Sequence, residues 1–227
     1  MKFSISNVDS LIIYFGDVIT SETSSNVKKA YRFLKNQNID GLIEIVPSYT
    51  SIFISYDIFK YNYESLKKLL EKTLINLDTK DDFQEKLITI DVYYGAEVAF
   101  DLEKIAFEKS LSIDKVIQIH SNKIYDVYTI GFLPAFAYLG NVDEKISTSR
   151  LQTPRKEVPK GSVAIADTQT AIYPKTSPGG WNIIGKTAVE LFDKNLENLT
   201  IFEIGNKVKF NPISKEEFLS QGGILWV

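Results

Sequence analysis

The chain has 227 residues, with 26 Lys and Arg against 29 Asp and Glu, one His and no Cys. Its composition of 44% apolar, 12% aromatic and 24% charged residues is typical of a globular protein, and it excludes the disordered and fibrous classes. The absence of Cys excludes disulfides, thiolate metal sites and thiol nucleophiles, and a single His excludes a multi-histidine metal site.

The net charge of −3 comes without a basic block or stripe, which argues against nucleic-acid binding. Apolar stretches stay far short of the ~20 residues that a membrane span needs, and residues 1–20 lack the pattern of a signal peptide. We therefore expect a cytoplasmic protein that binds no nucleic acid, no membrane and no metal.

The first part of the chain has the pattern of a small α+β domain. The predicted elements are a strand at Leu11–Phe15, a helix over residues 27–34, a hairpin of Leu42–Val46 and Ile52–Tyr56, and a helix over Leu66–Leu77. We expect Ser24 or Ser25 to cap the first helix. This order of elements predicts a ferredoxin-like α/β sandwich over residues 1–82. The polar run Asp78–Asp82 is its predicted boundary, or seam, with the rest of the chain.

The second part, residues 83–227, has the pattern of a turn-rich β domain. Nine of the 12 Gly and six of the seven Pro lie from Gly131 onward. Two short helices are predicted first, beginning at Asp101 and Ser112, and the apolar side of the second helix includes Val116 and His120. The predicted strands are Leu87–Tyr93, Tyr125–Phe132, Ser162–Ala166, Ala171–Tyr173, Trp181–Ile184 and Val208–Phe210. Such spacing favours a barrel or a sandwich.

One segment matches the phosphate-loop expression G-x-x-x-x-G-K-[ST]: Gly180–Thr187, which is GWNIIGKT. Its variable positions favour an extended strand, the residues before it are rich in Pro and Gly, and too few residues follow for a nucleotide-binding α/β domain. We interpret the segment as a turn, Pro178-Gly179-Gly180, that leads into a strand.

Three side chains are candidates for chemistry on residue type alone. His120, as the sole imidazole, is either an acid/base or a packed residue with local hydrogen bonds. Arg150 and Arg155 bracket a Pro-containing segment, where they predict either anion recognition or a pair of surface ion pairs. Composition and spacing do not choose between a binding module and part of an enzyme.

A set of ordered motifs gives the chain a family resemblance. The motifs are IGFLPAFAYLG (Ile130–Gly140), TPR (Thr153–Arg155), VPKGSVAIADTQTAIYP (Val158–Pro174), SPGGWNIIGKT (Ser177–Thr187) and LFD (Leu191–Asp193). With them, the chain resembles the family variously called the B subunit of 5-oxoprolinase, kinase A inhibitor or allophanate hydrolase subunit 1. The similarity covers most of the chain.

The resemblance implies a ferredoxin-like N-terminal domain followed by a cyclophilin-like β-barrel domain. It implies an accessory subunit, inactive alone, of an ATP-dependent 5-oxoprolinase that opens 5-oxoproline to glutamate while ATP goes to ADP and phosphate. The implied partners are the C-type sister subunit of 5-oxoprolinase, homologous to the other half of a carboxyltransferase domain, and the lactam-binding A-type subunit. Two alternatives stay open, an inhibitor of a sporulation-type histidine kinase and a component of a urea or allophanate amidolysing enzyme, since a fold does not decide among functions.

The resemblance also marks positions in the second domain. They are His120, Arg150, Arg155, Gln169, Tyr173, Pro178, Gly179, Gly180, Trp181 and Lys186. We expect one cleft in which His120 acts as acid/base, the cationic residues hold a carboxylate or phosphate, and Tyr173 and Trp181 form the walls. Family members usually have Gly where this chain has Ala135, so we expect the loop Pro134–Phe136 to be reshaped.

Overall fold

The computed structural model describes residues 1–75, 85–195 and 199–225. The chain divides into two compact units, Met1–Gln84 and Glu85–Val227. The predicted seam Asp78–Asp82 and the predicted helical position Leu77 lie outside the described residues.

The first unit is an antiparallel sheet with two helices. Its elements are β1 (Lys2–Asn7), β2 (Ser10–Tyr14), α1 (Ser21–Gln37), β3 (Leu42–Pro47), β4 (Ser51–Tyr56) and α2 (Tyr63–Leu74). The strand order is β1-β2-β4-β3, and β4 pairs antiparallel with both β2 and β3. Since β2 and β3 are therefore parallel with β4 between them, β2-α1-β3 is the split βαβ arrangement of ferredoxin-like sandwiches. The predicted hairpin and the α+β class are confirmed.

Local chemistry explains where the helices of this unit begin. α1 follows Thr20, whose hydroxyl accepts a 3.0 Å hydrogen bond from the Thr23 amide, so the expected cap at Ser24 or Ser25 was wrong by about one turn. α2 follows a reciprocal capping box between Asn62 and Ser65. β1 was not predicted; among the described strands it pairs with β2 alone, at the edge of the sheet, and its Ile5 is exposed.

The second unit is built on a seven-stranded sheet. Its elements are β5 (Leu87–Val92), α3 (Leu102–Glu108), α4 (Ile113–Ser121), β6 (Ile124–Ile130), β7 (Ala137–Gly140), β8 (Arg155–Val158), β9 (Ser162–Ala166), β10 (Gln169–Ile172), β11 (Ser177–Gly179), β12 (Asn182–Lys186), β13 (Lys207–Pro212) and α5 (Lys215–Ser220). The sheet order is β12-β9-β10-β7-β6-β13-β5, and β8 pairs with β11 in a separate ribbon. The backbones of Tyr93, just after β5, and Lys186 in β12 exchange two 2.8 Å hydrogen bonds that join the ends of the sheet. The sheet is thus a nearly closed barrel, which confirms the barrel over the sandwich.

Apolar side chains from all seven strands and from α3 and α4 form the barrel core. A smaller cluster lies on the other face of β9, β10 and β12, where Phe136, Tyr173 and Trp181 pack on Ala164, Ala166 and Ala171. We call this second cluster, with the two arginines next to it, the outer-face site.

Candidate functional site

Strand alternation decides which predicted residues reach the outer-face site. In β10, Thr170 and Ile172 are buried toward the barrel core, whereas Gln169 and Ala171 share the opposite face, as does Tyr173 just after the strand. Three alanines on this face leave room for aromatic rings. Phe136 makes edge-to-face contacts with Tyr173 at 5.3 Å and with Trp181 at 5.8 Å between ring centroids.

Arg150 and Arg155 are brought together at this cluster. The guanidinium carbon of Arg150 lies 5.7 Å from the centre of the Trp181 ring, a cation–π geometry. Burial raises the pKa of the Tyr173 phenol, while the backbone N–H of Trp181 and both guanidinium groups act in the opposite direction. Both guanidinium groups are thus close enough to Tyr173 to oppose the rise in the pKa of its phenol.

Arg155 has one paired edge and one unpaired nitrogen. Its Nη2 donates a 2.7 Å hydrogen bond to Oδ1 of Asp101, and its guanidinium carbon lies 5.9 Å from the centre of the Phe100 ring. Nη1 is buried and has no hydrogen-bond acceptor within the described parts of the chain. The Arg155 side chain remains 27% exposed, so the group borders solvent. A buried donor without an acceptor is costly unless a ligand or water completes it.

The two glycines of the Pro178–Gly180 segment differ in whether the surrounding structure leaves space for a side chain. A Cβ added at Gly179 would lie 2.3 Å from the Tyr173 hydroxyl oxygen, so this position must remain free of a side chain for Tyr173 to sit where it does. A Cβ at Gly180 would meet ordinary contacts of 3.6 Å or more. The Gly180 carbonyl accepts a 2.7 Å hydrogen bond from the Leu151 amide. This bond attaches the segment Arg150–Arg155, which we call the arginine loop, to the outer-face site. Pro178 is exposed.

A polar pocket of about 630 Å³ lies beside this loop. Its lining includes three cations, Arg150, Lys104 and Lys109, and two carboxylates, Glu108 and Asp167. The volume falls in the range of small-molecule sites. Lys104 and Lys109 were not predicted, because nothing in their helical spacing distinguishes them from a solvated face.

His120 lies away from this site, in the interior of the barrel. It is fully buried, its Nδ1 is 2.8 Å from the Tyr94 hydroxyl and its Nε2 is 3.0 Å from the Thr170 hydroxyl. The ring stacks on Phe210 at 4.5 Å. Desolvation lowers the pKa of His120 to about 3, so the imidazole is neutral. This geometry favours the packed alternative for His120, because the apolar side of α4 carries it into the core with Val116.

Lys186 also lies apart from the arginines, at the closure of the barrel. It is buried, and its Nζ donates a 2.7 Å hydrogen bond to the Ile224 carbonyl. Burial lowers the pKa of its ammonium group. The phosphate-loop match Gly180–Thr187 contains the strand β12 and leads into no helix, so it lacks the strand–loop–helix context that phosphate binding requires. The interpretation as an extended segment is confirmed.

The structure thus gathers Arg150, Arg155, Tyr173, Gly179 and Trp181. Gln169 shares their face of β10, opposite Gly140 and Ala166 in the neighbouring strands. Ala135, at the loop expected to be reshaped, has a φ of 68°, so the left-handed conformation that favours Gly is present here with Ala.

The most informative residue that the sequence did not mark for the site is Asp101. It was predicted only as the start of α3, and it does stand at the N-cap position there. Its side chain is nearly buried, with Oδ1 on Arg155 and Oδ2 accepting a 2.7 Å hydrogen bond from the Ile183 amide. Its function could not be inferred from a motif, because the contact with Arg155 joins residues 54 positions apart.

Within residues 1–75, 85–195 and 199–225, no helix is long and apolar enough to cross a membrane. In the same described residues, no three His, Cys, Asp or Glu side chains are grouped so that they could hold a metal ion.

Comparison with known proteins defines the class. The family model of the carboxyltransferase domain, subdomain C and D, matches residues 1–202. The chain is 35% identical to the B subunit of 5-oxoprolinase from Bacillus subtilis over 218 residues, which cover 92% of this chain and 91% of that protein. It is 41% identical to the B subunit of 5-oxoprolinase from Haemophilus influenzae over 174 residues, covering 77% and 81% of the two chains.

A solved structure has the same fold. The protein TTHA0988 superposes with a TM-score of 0.80 at 29% identity, over 92% of this chain and 40% of that one. The chain therefore spans less than half the length of that protein. The protein described here belongs to the carboxyltransferase subdomain C and D family, in the branch of 5-oxoprolinase B subunits.

Proposed function

We propose that the chain is an accessory subunit of an ATP-dependent 5-oxoprolinase, active only together with its partner subunits. The identities of 35% and 41% to two B subunits of 5-oxoprolinase support the reaction. Because both relatives are subunits, they also support partners, for which we propose a C-type sister chain and a lactam-binding A-type chain. The observation that carries the role of this chain is the state of the Arg155 guanidinium group, which Asp101 fixes through Nη2 and which still borders solvent.

The chemistry of the outer-face site fits a negatively charged group. Arg150 and Arg155 offer guanidinium donors suited to a carboxylate or phosphate, and Lys104 and Lys109 add positive charge around the adjoining pocket. The 5-oxoproline carboxylate and the phosphates of ATP both have this chemistry. In the assembled enzyme, ATP supplies the phosphoryl group that activates the unstrained lactam toward water.

The roles of the chain's own residues follow from their contacts. Arg155 binds and orients the anionic group through the part of its guanidinium group that borders solvent. Arg150, held over the Trp181 ring, adds a second positive charge at the exposed side. Tyr173 and Trp181 form a rigid apolar wall that limits water around the bound group, since both are at most 5% exposed. The neutral interior imidazole of His120 takes no part in proton transfer.

Reconstitution tests the proposal. The chain is co-expressed with the two partner subunits, and ATP-dependent release of glutamate from 5-oxoproline is measured with and without it. We expect activity only in the complete complex; equal activity without this chain would overturn the proposal. Inhibition of histidine kinase autophosphorylation by the purified chain, with no effect on glutamate release, would instead favour a regulatory binder.

A matched pair of variants tests the site within that complex. Arg155→Lys keeps the positive charge and loses the planar fork, so we expect at least about a tenfold loss of kcat/KM. Lys160→Ala removes a cation of the same domain that pairs with Glu190 at the surface, and we expect no change. Equal activity of both variants would exclude Arg155 from the site.

A further inference from the structure

Asp101 stands where a helix cap is expected but does not act as one. An Asp at an N-cap position normally accepts hydrogen bonds from the first amides of its helix. The Asp101 side chain makes no such bond to α3. Both carboxylate oxygens are directed across the structure instead, one to the Arg155 guanidinium and one to the Ile183 amide, each at 2.7 Å.

These bonds attach Asp101 firmly to the strand that carries the site. Ile183 lies in β12, two residues after Trp181, and its carbonyl accepts a 2.8 Å hydrogen bond from the Asp101 amide. The Asp101 backbone and one carboxylate oxygen are thus both fixed to one residue. The other oxygen is then held in a defined position relative to the Trp181 ring and determines where the Arg155 guanidinium can lie.

The ion pair with Asp101 occupies one nitrogen of the Arg155 guanidinium group and leaves a second nitrogen without an acceptor in the part of the chain that the structure describes. Nη2 is bonded to Asp101, whereas Nη1 is buried and has no acceptor among the described residues. The Asp101 carboxylate also offsets the positive charge of Arg155. Because of this pairing, the guanidinium group can be partly buried. A surface arginine without this support would lose rotamer freedom when it binds its ligand.

We propose that Asp101 is a positioning residue, which holds the Arg155 guanidinium so that its solvent-bordering part meets the anionic group bound at the outer-face site. This inference rests on the proposed function and adds to it the residue that sets the affinity of the site. Asp101 does not touch the ligand; it acts through Arg155.

The test uses the reconstituted three-subunit complex and the variant Asp101→Asn, which keeps the size of the side chain and removes its charge. KM for 5-oxoproline, KM for ATP and kcat are measured. We expect KM for one of the two substrates to rise about tenfold and kcat to stay within about twofold, because a misplaced binding group weakens binding. A merely structural Asp101 would lower the yield of folded complex and leave both KM values unchanged.

The matched control is Asp126→Asn. Asp126 accepts a 2.7 Å hydrogen bond from Lys207, and this ion pair joins β6 and β13 in the same barrel. We expect wild-type KM values for this variant. A KM rise of the same size in Asp126→Asn would overturn the proposal, because it would show that any barrel ion pair has this effect.

A double variant shows whether Asp101 acts through Arg155. In a complex that carries Arg155→Lys, we expect Asp101→Asn to raise the affected KM by no more than about twofold, since the group it positions is already gone. A full further tenfold rise would overturn the proposal. Should Asp101→Asn not fold, Asp101→Glu keeps the charge and moves it by one methylene group, and an unchanged KM in that variant would equally contradict the proposal. A failure of the proposed function appears separately, as wild-type glutamate release without this chain.

Discussion

Two polar clusters of the second unit, one around His120 inside the barrel and one around Arg155 outside it, differ in how completely their hydrogen-bonding groups are paired. On the inner face, Thr170 and Tyr94 occupy both ring nitrogens of the fully buried His120. On the outer face, Arg155 borders solvent and retains a nitrogen without an acceptor in the described protein. A closed network contributes to folding, whereas an incomplete one has capacity left for a ligand.

The difference shows that residue type alone does not identify a functional group. His120 is the sole imidazole and titrates near neutrality in water, which makes it the obvious candidate for catalysis. Burial among aromatic rings removes that property. Arg155, which pairs with Asp101 through one nitrogen and borders solvent, is the residue to which the proposed function gives a binding role.

The largest expected effect comes from opening the inner cluster. His120→Ala would leave a cavity against Phe210, leave the buried Tyr94 hydroxyl without its imidazole partner and remove one of two partners of the Thr170 hydroxyl, so we expect it to lower the free energy of unfolding by about 3–5 kcal/mol. Urea unfolding of the purified chain measures this, with Gln118→Ala on the exposed side of α4 as the control. Lost activity with unchanged stability would contradict the packed role and restore His120 as a catalytic candidate.

The next effect separates two adjacent glycines of the outer cluster. Gly179→Ala places a Cβ against the buried Tyr173 hydroxyl, and we expect this overpacking to cost about 1–3 kcal/mol of unfolding free energy. Gly180→Ala meets only ordinary contacts, so it serves as the matched control. Thermal unfolding of both variants checks the expectation, and equal losses would show that the approach of Gly179 to Tyr173 is not specific.

Sequence periodicity predicted six of the seven strands of the barrel, but it predicted neither β7 nor the two-stranded ribbon. Ser162–Ala166 was predicted with the bounds that β9 has, because alternation and β-branched residues mark a buried strand. Arg155–Val158 is mostly charged, and Ser177–Gly179 contains Pro and Gly, so neither segment has a strand signal of its own. They become β8 and β11 only because they pair with each other across about 20 residues.

The site was predictable to the extent that its chemistry resides in single residues. The two arginines and Trp181 were identified from residue type and resemblance, and the structure brings them together. Asp101 was recognised only as a helix start, since its pairing with Arg155 depends on the closure of the barrel. His120 and Lys186 were grouped with the arginines although they face other parts of the barrel, because a one-dimensional motif does not specify which side of the sheet a residue faces.

The pH dependence of the free energy of unfolding is a second test of the inner cluster around His120, with a smaller expected effect. The native pKa of His120 is lowered to about 3, whereas an unfolded His titrates near 6.5. Below pH 6.5 the unfolded chain therefore binds a proton that the native chain does not. The stabilising effect of keeping His120 neutral is complete above that pH and is lost as the pH falls toward 3.

Between pH 6 and pH 5 we expect wild type to lose about 1 kcal/mol more unfolding free energy than His120→Gln, because the variant lacks this titration. Carboxyl groups that titrate in the same range are common to both proteins and cancel in the difference. Nuclear magnetic resonance gives a direct check, since the one imidazole needs no assignment. Ring signals of the native protein that shifted between pH 8 and pH 5 would contradict a buried neutral His120.

The smallest expected effect on stability is that of Arg150→Ala. Arg150 is exposed and its contact with the Trp181 ring is a cation–π pair, so we expect a loss below about 1 kcal/mol in unfolding free energy. Binding should respond differently, because the positive charge beside the pocket is removed: we expect KM for the anionic substrate to rise in the reconstituted complex. Lys160→Ala again controls for the loss of a surface cation. A stability loss as large as that of His120→Ala would mean that Arg150 belongs to the packed structure and not to a binding surface.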